Sequence, residues 1–425
     1  MKKKVDIRDI AKGMYVSDLD RPWVESPFLF QGFEIKNDSD IVDLQKHCTY
    51  VYIDTELGID FIPQAANRGA ANRARELEEK DKQLKREFRR LAEMPLSENK
   101  VQAPAYQDRT PLEQELREAR AIQTKARDAM REVVENVEKG KKVDVPMAKK
   151  VVGSMVDSVV RNPDALVCLS QLKDVSEYTA LHSVRSAVLA LAFGRHLVFS
   201  KEDLATLGMG AMLHDVGMAR VPKEILDKPG GLTPDEFAIM QKHIQWGIEI
   251  LEKSGDVPPL ALEFIKQHHE RHDGSGYPNK LKGDQIGYVG GIGSIVDVYD
   301  AITSDTTYHA ALSAEEVLKM MYEWRHKDFN ASLVEEFIKC MGIFPIGSLV
   351  ELSAGGIGVV VTINRSRRLK PKVSLVLNEN LKPYGKKIVA DLSVHKSTKG
   401  EELKIKRVLP AGSLGINPMD HIVLL

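Results

Sequence analysis

The spacing of apolar and polar residues divides the chain into regions of different character. Short apolar runs separated by turn residues fill residues 1–65. Within them, 51–54 has the composition of a strand and 28–35 that of a strand or hairpin arm. We therefore predict a small α/β domain for residues 1–65.

Charged helix formers dominate residues 66–144. Segments 74–80 and 85–91 mix both signs of charge, which is typical of helices surrounded by solvent. A polar stretch near 95–111 interrupts them, and a further charged helix is expected up to about residue 138. This region is predicted to be a charged helical spacer.

Helical periodicity governs residues 145–345. Apolar residues recur three and four positions apart, as at Val184, Val188 and Leu191. Valine-rich runs broken by glycine return over 346–425 and predict a β-rich subdomain. The chain is thus expected to be mainly α, with a helical bundle between a small α/β domain and a β-rich subdomain.

Composition narrows the class of protein. Lys and Arg number 60 against 61 Asp and Glu, so the chain lacks the positive charge typical of DNA- or RNA-binding proteins. No segment approaches the ~18 uninterrupted apolar residues of a membrane span. Cys48, Cys168 and Cys340 are too far apart for a zinc-binding pair or a disulfide framework, which favours a reducing compartment. A cytoplasmic protein is expected.

Side chains able to bind metal ions recur through the helical region, each in or at the end of an apolar stretch. They are His182, His214, Asp215, His243, His268, His269 and Asp297. A histidine or carboxylate in such a stretch must find a polar partner, and helix bundles build metal sites from these groups. A single buried histidine is more often a hydrogen-bonded core residue, so the prediction of a metal site depends on the whole set.

Residues 268–278 read His-His-Glu-Arg-His-Asp-Gly-Ser-Gly-Tyr-Pro, a helix end followed by a loop with two glycines and a proline. Such a loop is either an ordinary turn or a means of bringing backbone amides and Tyr277 close to a ligand. Together with His214 and Asp215, this block resembles the HD-GYP family, a branch of the HD phosphohydrolases. The resemblance covers about 145–345. The stretch 13–33 also resembles an uncharacterised domain that often precedes HD-GYP domains in bacteria.

The resemblance implies an HD-type helical bundle that hydrolyses cyclic di-GMP to pGpG, to GMP or to both, by a metal-activated hydroxide. His214 and Asp215 are the implied catalytic pair. Two divalent ions are implied, iron or manganese before nickel or zinc, although imidazole and carboxylate ligands by themselves accept all of these metals. Relatives with three ions carry a glutamate four residues before the first ligand; Tyr178 stands there in this chain, which favours two ions.

The resemblance also distributes the ligands between the two ions. The first ion is expected at His182, His214, Asp215 and Asp297. Asp215 bridges to a second ion, which is held by His243 and by one or both of His268 and His269. Two ions ~3.5–4 Å apart can stabilise both the attacking and the leaving oxygen of a phosphate ester.

Further roles follow from the family likeness. Arg271, Gly276, Tyr277 and Pro278 are expected to shape the pocket for cyclic di-GMP. In relatives the same loop is also a contact surface, so a signalling protein is an expected partner there. The N-terminal domain or the charged helices are expected to support a homodimer.

Three positions depart from the family pattern. Met218 stands where many relatives have a lysine, and Thr306 and His309 stand where they have arginines. Each lost charged contact to a phosphate removes ~1.5–3 kcal/mol, so reduced activity is expected. Arg185, Arg220 and Arg271 are candidates to compensate.

Two alternatives to a full cyclic di-GMP hydrolase therefore stay open. One is a weakly active or degenerate protein that senses cyclic di-GMP or docks a signalling partner. The other is hydrolysis of a different nucleotide. The complete set of metal-capable side chains favours catalysis over the first alternative. Tyr277 and Pro278 weigh against the second, because in the family that this chain resembles the loop that contains them distinguishes the cyclic di-GMP branch.

Overall fold

The computed structural model describes residues 2–21, 32–59, 106–171, 178–228, 230–304, 311–364, 367–397, 400–410 and 412–422. They belong to two compact units, Met1–Met94 and Pro95–Leu425. The predicted helices at 74–80 and 85–91 lie outside the described residues, as do the first half of the arm at 28–35 and most of the polar stretch near 95–111.

The first unit is a small α/β domain built on an antiparallel sheet. Its strands are β1 (Lys2–Asp6), β2 (Tyr15–Leu19), β3 (Phe33–Glu34) and β4 (Tyr50–Asp54), in the order β1-β4-β2-β3. Helix α1 (Asp38–His47) begins with a capping box between Asn37 and Asp40. Alternate strand residues such as Val51 and Ile53 are buried and form the core with Leu44 of α1. The strand predicted at 51–54 is confirmed.

Helices make up most of the second unit. They are α2 (Leu112–Glu138), α3 (Val145–Arg161), α4 (Pro163–Ser170), α5 (Tyr178–His196), α6 (Lys201–Leu213), α7 (Lys223–Leu226), α8 (Pro234–Met240), α9 (His243–Ser254), α10 (Pro259–Gln267), α11 (Tyr288–Ile302), α12 (Ala314–Glu323) and α13 (Ala331–Met341). Short 3₁₀ turns lie at Val216–Arg220 and Gly283–Gln285. In the bundle, α5 packs against α6 and α11, and α10 packs against α6 and α11. Most of α6 is buried, as its apolar sequence requires.

Helix α2 is charged, yet one of its faces belongs to the bundle. Leu116, Ala119 and Met130 are buried on that face, and the helix contacts α3, α4, α5 and the turn Val216–Arg220. Glu115 is also buried, and it accepts hydrogen bonds from Ser158 and Arg161 of α3. A buried carboxylate needs such partners to offset the loss of hydration. The helix is therefore fixed to the bundle along its length.

A five-stranded antiparallel sheet closes the chain. Its strands are β5 (Leu349–Leu352), β6 (Ile357–Thr362), β7 (Lys372–Leu377), β8 (Pro383–Asp391) and β9 (Ile405–Leu409), in the order β8-β7-β6-β5-β9. Val350 lies opposite Gly358 of β6 and Val408 of β9. A short helix, α14 (Pro418–Ile422), packs on β6 and β7.

The predicted fold class is confirmed: a mainly α chain, with a small α/β unit at its start and a β-rich part at its end. Among the helices within the described ranges, none has the length and apolar character to cross a bilayer.

Candidate metal centre

Five segments of the bundle contribute side chains to one buried cluster. The segments are the middle of α5, the end of α6, the start of α9, the end of α10 and the middle of α11. In that order they carry His182, the pair His214 and Asp215, His243, the pair His268 and His269, and Asp297. The structure brings together all seven side chains that the sequence singled out.

Asp215 lies at the centre of the cluster, and its two oxygens face different histidines. Oδ1 is 3.5 Å from Nε2 of His243 and 3.8 Å from Nε2 of His268. Oδ2 is 3.5 Å from Nε2 of His214 and 3.7 Å from Nε2 of His182. The carboxylate therefore belongs to two groups of ligand-type atoms.

Asp297 faces the same space from α11. Its Oδ1 is 3.1 Å from Nε2 of His182 and 3.7 Å from Nε2 of His214. Its Oδ2 is 3.6 Å from Nδ1 of His269. Asp297 thus lies beside the group that contains His182 and His214 and reaches the other group through His269.

Hydrogen bonds at Nδ1 orient three of the histidines. His214, His243 and His268 each direct Nδ1 to the backbone carbonyl three residues earlier, at 2.7, 2.8 and 2.8 Å. A carbonyl only accepts hydrogen bonds, so Nδ1 must carry the proton and donate it. With the proton on Nδ1, Nε2 is the nitrogen whose lone pair can bind a metal ion, and Nε2 is the nitrogen that faces Asp215.

Several polar atoms at the centre are buried without a hydrogen-bond partner among the described residues. They are Oδ1 of Asp215, Nε2 of His243 and Nε2 of His268. Leaving such an atom unsatisfied costs ~1–3 kcal/mol. These three atoms face one another and include two imidazole lone pairs and a carboxylate oxygen, which together suit a divalent cation. The cluster is able to bind metal.

Burial and neighbouring charges set the pKa values of the carboxylates. Burial raises the pKa of Asp215, but His214 and His243 outweigh that effect and lower it. Burial also raises the pKa of Asp297, yet hydrogen bonds with His182 and His214 bring it well below its ordinary value. Both carboxylates are therefore ionised at neutral pH.

The histidines fall into two classes. Burial, together with the neighbouring histidines, lowers the pKa of His268 and His269 well below the ordinary value, so both rings are neutral. Burial also lowers the pKa of His182, but hydrogen bonds with Asp297 and Asp300 outweigh it and raise the pKa to about 10. His182 thus holds a proton between Asp297 and Asp300, in a place where a bound metal cation would replace it.

Asp300 was missed in the sequence, although it lies one turn after Asp297 on the same face of α11. Its Oδ2 is 2.7 Å from Nδ1 of His182, and it accepts hydrogen bonds of 2.8 and 3.0 Å from Nε of Arg185. Arg185 also donates to Ser304 at 3.2 Å. Burial raises the pKa of Asp300, but Arg185 and His182 outweigh it and lower the pKa to about 2. The sequence did contain an indication of this role, because Asp297 and Asp300 lie three residues apart on an apolar helix.

Glu270 was also missed, although it belongs to the motif itself. Its carboxylate is fully buried and accepts hydrogen bonds from the backbone amides of Asn279, at 2.8 Å, and Leu281, at 3.0 Å. Gly276 crosses the same backbone so closely that a Cβ there would lie 2.3 Å from the amide nitrogen of Arg271. Glu270 and Gly276 therefore fix the course of the loop 274–278.

Three of the four predicted substrate-binding residues, Gly276, Tyr277 and Pro278, lie on this loop, and Arg271 lies just before it. The ring of Tyr277, which precedes the cis peptide bond to Pro278, stacks on His269 with centroids 4.7 Å apart. Burial raises the pKa of Tyr277, so its phenol stays protonated. Arg271 donates to the carbonyls of His268 and Glu270.

Three positions depart from the family pattern, and Arg220 is a candidate to compensate for them. Met218 lies half-buried in the turn directly after His214 and Asp215. Arg220 pairs with Glu249 at 3.2 Å on an exposed surface. Thr306 and His309, like the side chain of Tyr178, lie outside the described part of the chain.

Several known proteins are similar to this chain in sequence. Residues 2–148 match a domain of unknown function, DUF3391, and residues 167–333 match an HD domain. Cyclic di-GMP phosphodiesterase PA4108 of Pseudomonas aeruginosa is 32% identical over 394 residues, which is 92% of this chain and 89% of that protein. The 3'3'-cGAMP-specific phosphodiesterase 2 of Vibrio cholerae is 36% identical over 161 residues, which is 38% of this chain and 31% of that protein. The solved structure of Bd1817, an HDG"Y"P protein from Bdellovibrio bacteriovorus, aligns with a TM-score of 0.43 at 17% identity, over 79% of this chain and 98% of that one.

Proposed function

Because the chain belongs to the HD-GYP family of phosphodiesterases, we propose that it hydrolyses cyclic di-GMP to pGpG, to GMP or to both. The observation that carries the proposal is the position of Asp215, whose two oxygens face two groups of histidines in one buried core. The Pseudomonas relative named for this activity supports the choice of substrate, because the similarity extends over most of both chains.

We assign the cluster to two divalent ions. One ion would be held by His182, His214, Asp215 and Asp297, and the other by Asp215, His243, His268 and His269. Iron or manganese is proposed from the family likeness, and the nitrogen and oxygen donors without sulfur suit these ions, as they also suit nickel or zinc. When bound, such ions lower the pKa of water and neutralise charge on a phosphate ester.

The side chains of the protein prepare the site for an anionic substrate. Asp215 and Asp297 are ionised, whereas the charge of Asp300 is balanced by Arg185. With two divalent ions bound, the two unbalanced carboxylates leave the site a net positive charge, which attracts a phosphodiester. The Nδ1 hydrogen bonds fix the rings before any ligand arrives, so little reorganisation is needed on binding.

The loop 274–278 supplies the groups that face the substrate. The protonated phenol of Tyr277 can donate a hydrogen bond, and its ring is held in place by stacking on His269. Glu270 keeps the loop against the cluster through two amide hydrogen bonds. We propose that Arg271, Gly276, Tyr277 and Pro278 line the pocket for cyclic di-GMP.

The proposal is tested by loading the purified protein with iron or manganese, adding cyclic di-GMP and measuring pGpG and GMP. Asp215→Ala is expected to abolish both metal loading and hydrolysis, since it removes the ligand that both groups share. Asp256→Ala is the matched control, because Asp256 forms an exposed ion pair with Lys149. An Asp215→Ala protein with full metal content and full rate would contradict the two-ion site.

Met218 favours one alternative, a protein that binds cyclic di-GMP with little turnover. This half-buried methionine stands where many relatives have a lysine, three residues after Asp215. The same assay distinguishes a sensor from a hydrolase. Tight binding of cyclic di-GMP without product, with either metal, would indicate a sensor. Including 3'3'-cGAMP, the substrate named for the Vibrio relative, separates hydrolysis of a different nucleotide.

A further inference from the structure

A row of aromatic rings leads from the metal centre to the protein surface. Tyr277 stacks on His269, with centroids 4.7 Å apart and ring planes 26° apart. Phe237 of α8 meets Tyr277 edge to face, with centroids 5.7 Å apart and planes at 80°. The Phe237 side chain is 44% exposed, so much of its ring is open to solvent next to the site.

Helix α8 holds Phe237 firmly in this position. The helix begins with Pro234 and a capping box between Thr233 and Glu236, and Lys228 forms an ion pair with Glu236. At its other end, the carbonyl of Met240 accepts the Nδ1 hydrogen bond of the candidate ligand His243 at 2.8 Å. Because Phe237 and Met240 belong to the same helix, this hydrogen bond fixes the position of Phe237 relative to His243.

Packing does not account for a phenylalanine here. None of the residues of α8 is buried, so the helix contributes no side chain to the core. A lone exposed apolar residue is ordinary on a protein surface. This one differs because it contacts Tyr277 of the loop 274–278 and keeps a large exposed area close to the candidate metal centre. A flat base can stack on the exposed part of such a ring.

We propose that Phe237 is a substrate-binding residue that stacks on one guanine base of the substrate. The inference rests on the proposed hydrolysis of cyclic di-GMP and adds a contact that holds a base. The phosphodiester would lie at the cluster, and a base attached to the neighbouring sugar would extend past Tyr277 toward Phe237. Stacking depends on the shape of the base and not on its edge, so adenine would be accepted as well.

The test compares Phe237→Ala, Phe237→Leu and Phe237→Trp in the full-length, metal-loaded protein. Base stacking on an aromatic ring is worth ~1–3 kcal/mol, so Phe237→Ala is expected to raise KM for cyclic di-GMP by roughly five- to a hundredfold. Phe237→Leu should behave like Phe237→Ala, and Phe237→Trp should keep KM near the wild-type value. Metal content and melting temperature should stay unchanged.

Leu381→Ala is the matched control, since Leu381 is a 54% exposed apolar residue in the turn between β7 and β8. An unchanged KM in Phe237→Ala would overturn the inference. So would a wild-type KM in Phe237→Leu, because Phe237 would then be an apolar cover for Tyr277. Failure of the proposed function gives a different result: the wild-type protein would leave cyclic di-GMP intact. The same KM comparison would then be run on whichever purine cyclic dinucleotide it hydrolyses, and if it hydrolyses none, both proposals fall.

Discussion

Asp300 joins His182 to Arg185, with one oxygen 2.7 Å from Nδ1 of the histidine and the other 2.8 Å from Nε of the arginine. All three side chains are buried. The carboxylate fixes the plane of the imidazole and keeps Nε2 directed at Asp215 and Asp297. Partners of this kind behind a metal ligand typically change metal affinity by 10–100-fold.

Asp300→Asn should therefore lower metal affinity ten- to a hundredfold, because the amide keeps the size of the side chain and loses its charge. Metal affinity is measured by titration of the metal-free protein, and a melting curve confirms that the variant is folded. Asp157→Asn is the control, since Asp157 forms an exposed ion pair with Lys201. Wild-type affinity in Asp300→Asn would show that the histidine needs no such partner.

Replacement of Glu270 should affect the loop 274–278 and leave the metal centre unchanged. In Glu270→Gln the side-chain amide nitrogen cannot accept a hydrogen bond, so the backbone amide of Asn279 or Leu281 loses its partner. The loss of one buried hydrogen bond should destabilise the loop by ~1–3 kcal/mol. KM for cyclic di-GMP is expected to rise while metal content stays at the wild-type level.

Glu263→Gln serves as the comparison for Glu270→Gln. Glu263 lies on α10, and its half-exposed carboxylate accepts hydrogen bonds from Lys266 and Gln267. Its replacement should change neither KM nor metal content. If Glu270→Gln instead released the metal at unchanged KM, Glu270 would act on the cluster and not on the loop.

The sequence predicted the members of the cluster because polar side chains on apolar helices must turn inward to find partners. His182 and Asp297 could be chosen for that reason although they are 115 residues apart in the chain. The same reasoning could not rank Asp300 above other carboxylates, since its role depends on which side chains α5 presents to α11. The role of Glu270 depends on the path of a loop that its own residue type does not specify.

The charged helix α2 shows a further limit of sequence patterns. Its composition indicated part of a charged spacer, and nine of its residues, among them Leu116, Ala119 and Met130, are nevertheless buried. Small and long apolar side chains among many charges give a narrow stripe, which is enough to pack against neighbouring helices. Composition averages over all faces of a helix and so conceals such a stripe.

Gly217 gives a prediction about the backbone under the cluster. A Cβ at this position would lie 1.9 Å from the carbonyl oxygen of His243, so a side chain would push α9 away from the His-Asp pair. Gly217→Ala should destabilise the fold by about 3 kcal/mol, the upper range for overpacking, and lower metal content. Gly153→Ala is the control, since Gly153 lies within α3 and a Cβ there would meet nothing within 4 Å.

The two glycine variants should move stability in opposite directions. Alanine is the better helix former, so Gly153→Ala is expected to stabilise the protein by ~0.5–1 kcal/mol. Thermal or denaturant unfolding followed by circular dichroism measures both changes. A neutral Gly217→Ala with full metal content would mean that α9 tolerates a shift, and that the close approach to His243 is not required.

Met218 lies in the 3₁₀ turn immediately after Asp215. Its half-buried side chain starts next to the cluster, and a lysine of similar length could carry an ammonium group toward the bound phosphodiester. A charged contact of this kind contributes ~1.5–3 kcal/mol, so Met218→Lys should improve kcat/KM for cyclic di-GMP roughly ten- to a hundredfold. Metal content should stay the same, because no ligand changes.

Ala219→Lys places the same charge on the next residue of the turn, which points in another direction, and should leave kcat/KM unchanged. Equal effects from both lysines would indicate general electrostatic attraction, and no effect from Met218→Lys would mean that the missing lysine does not limit this site.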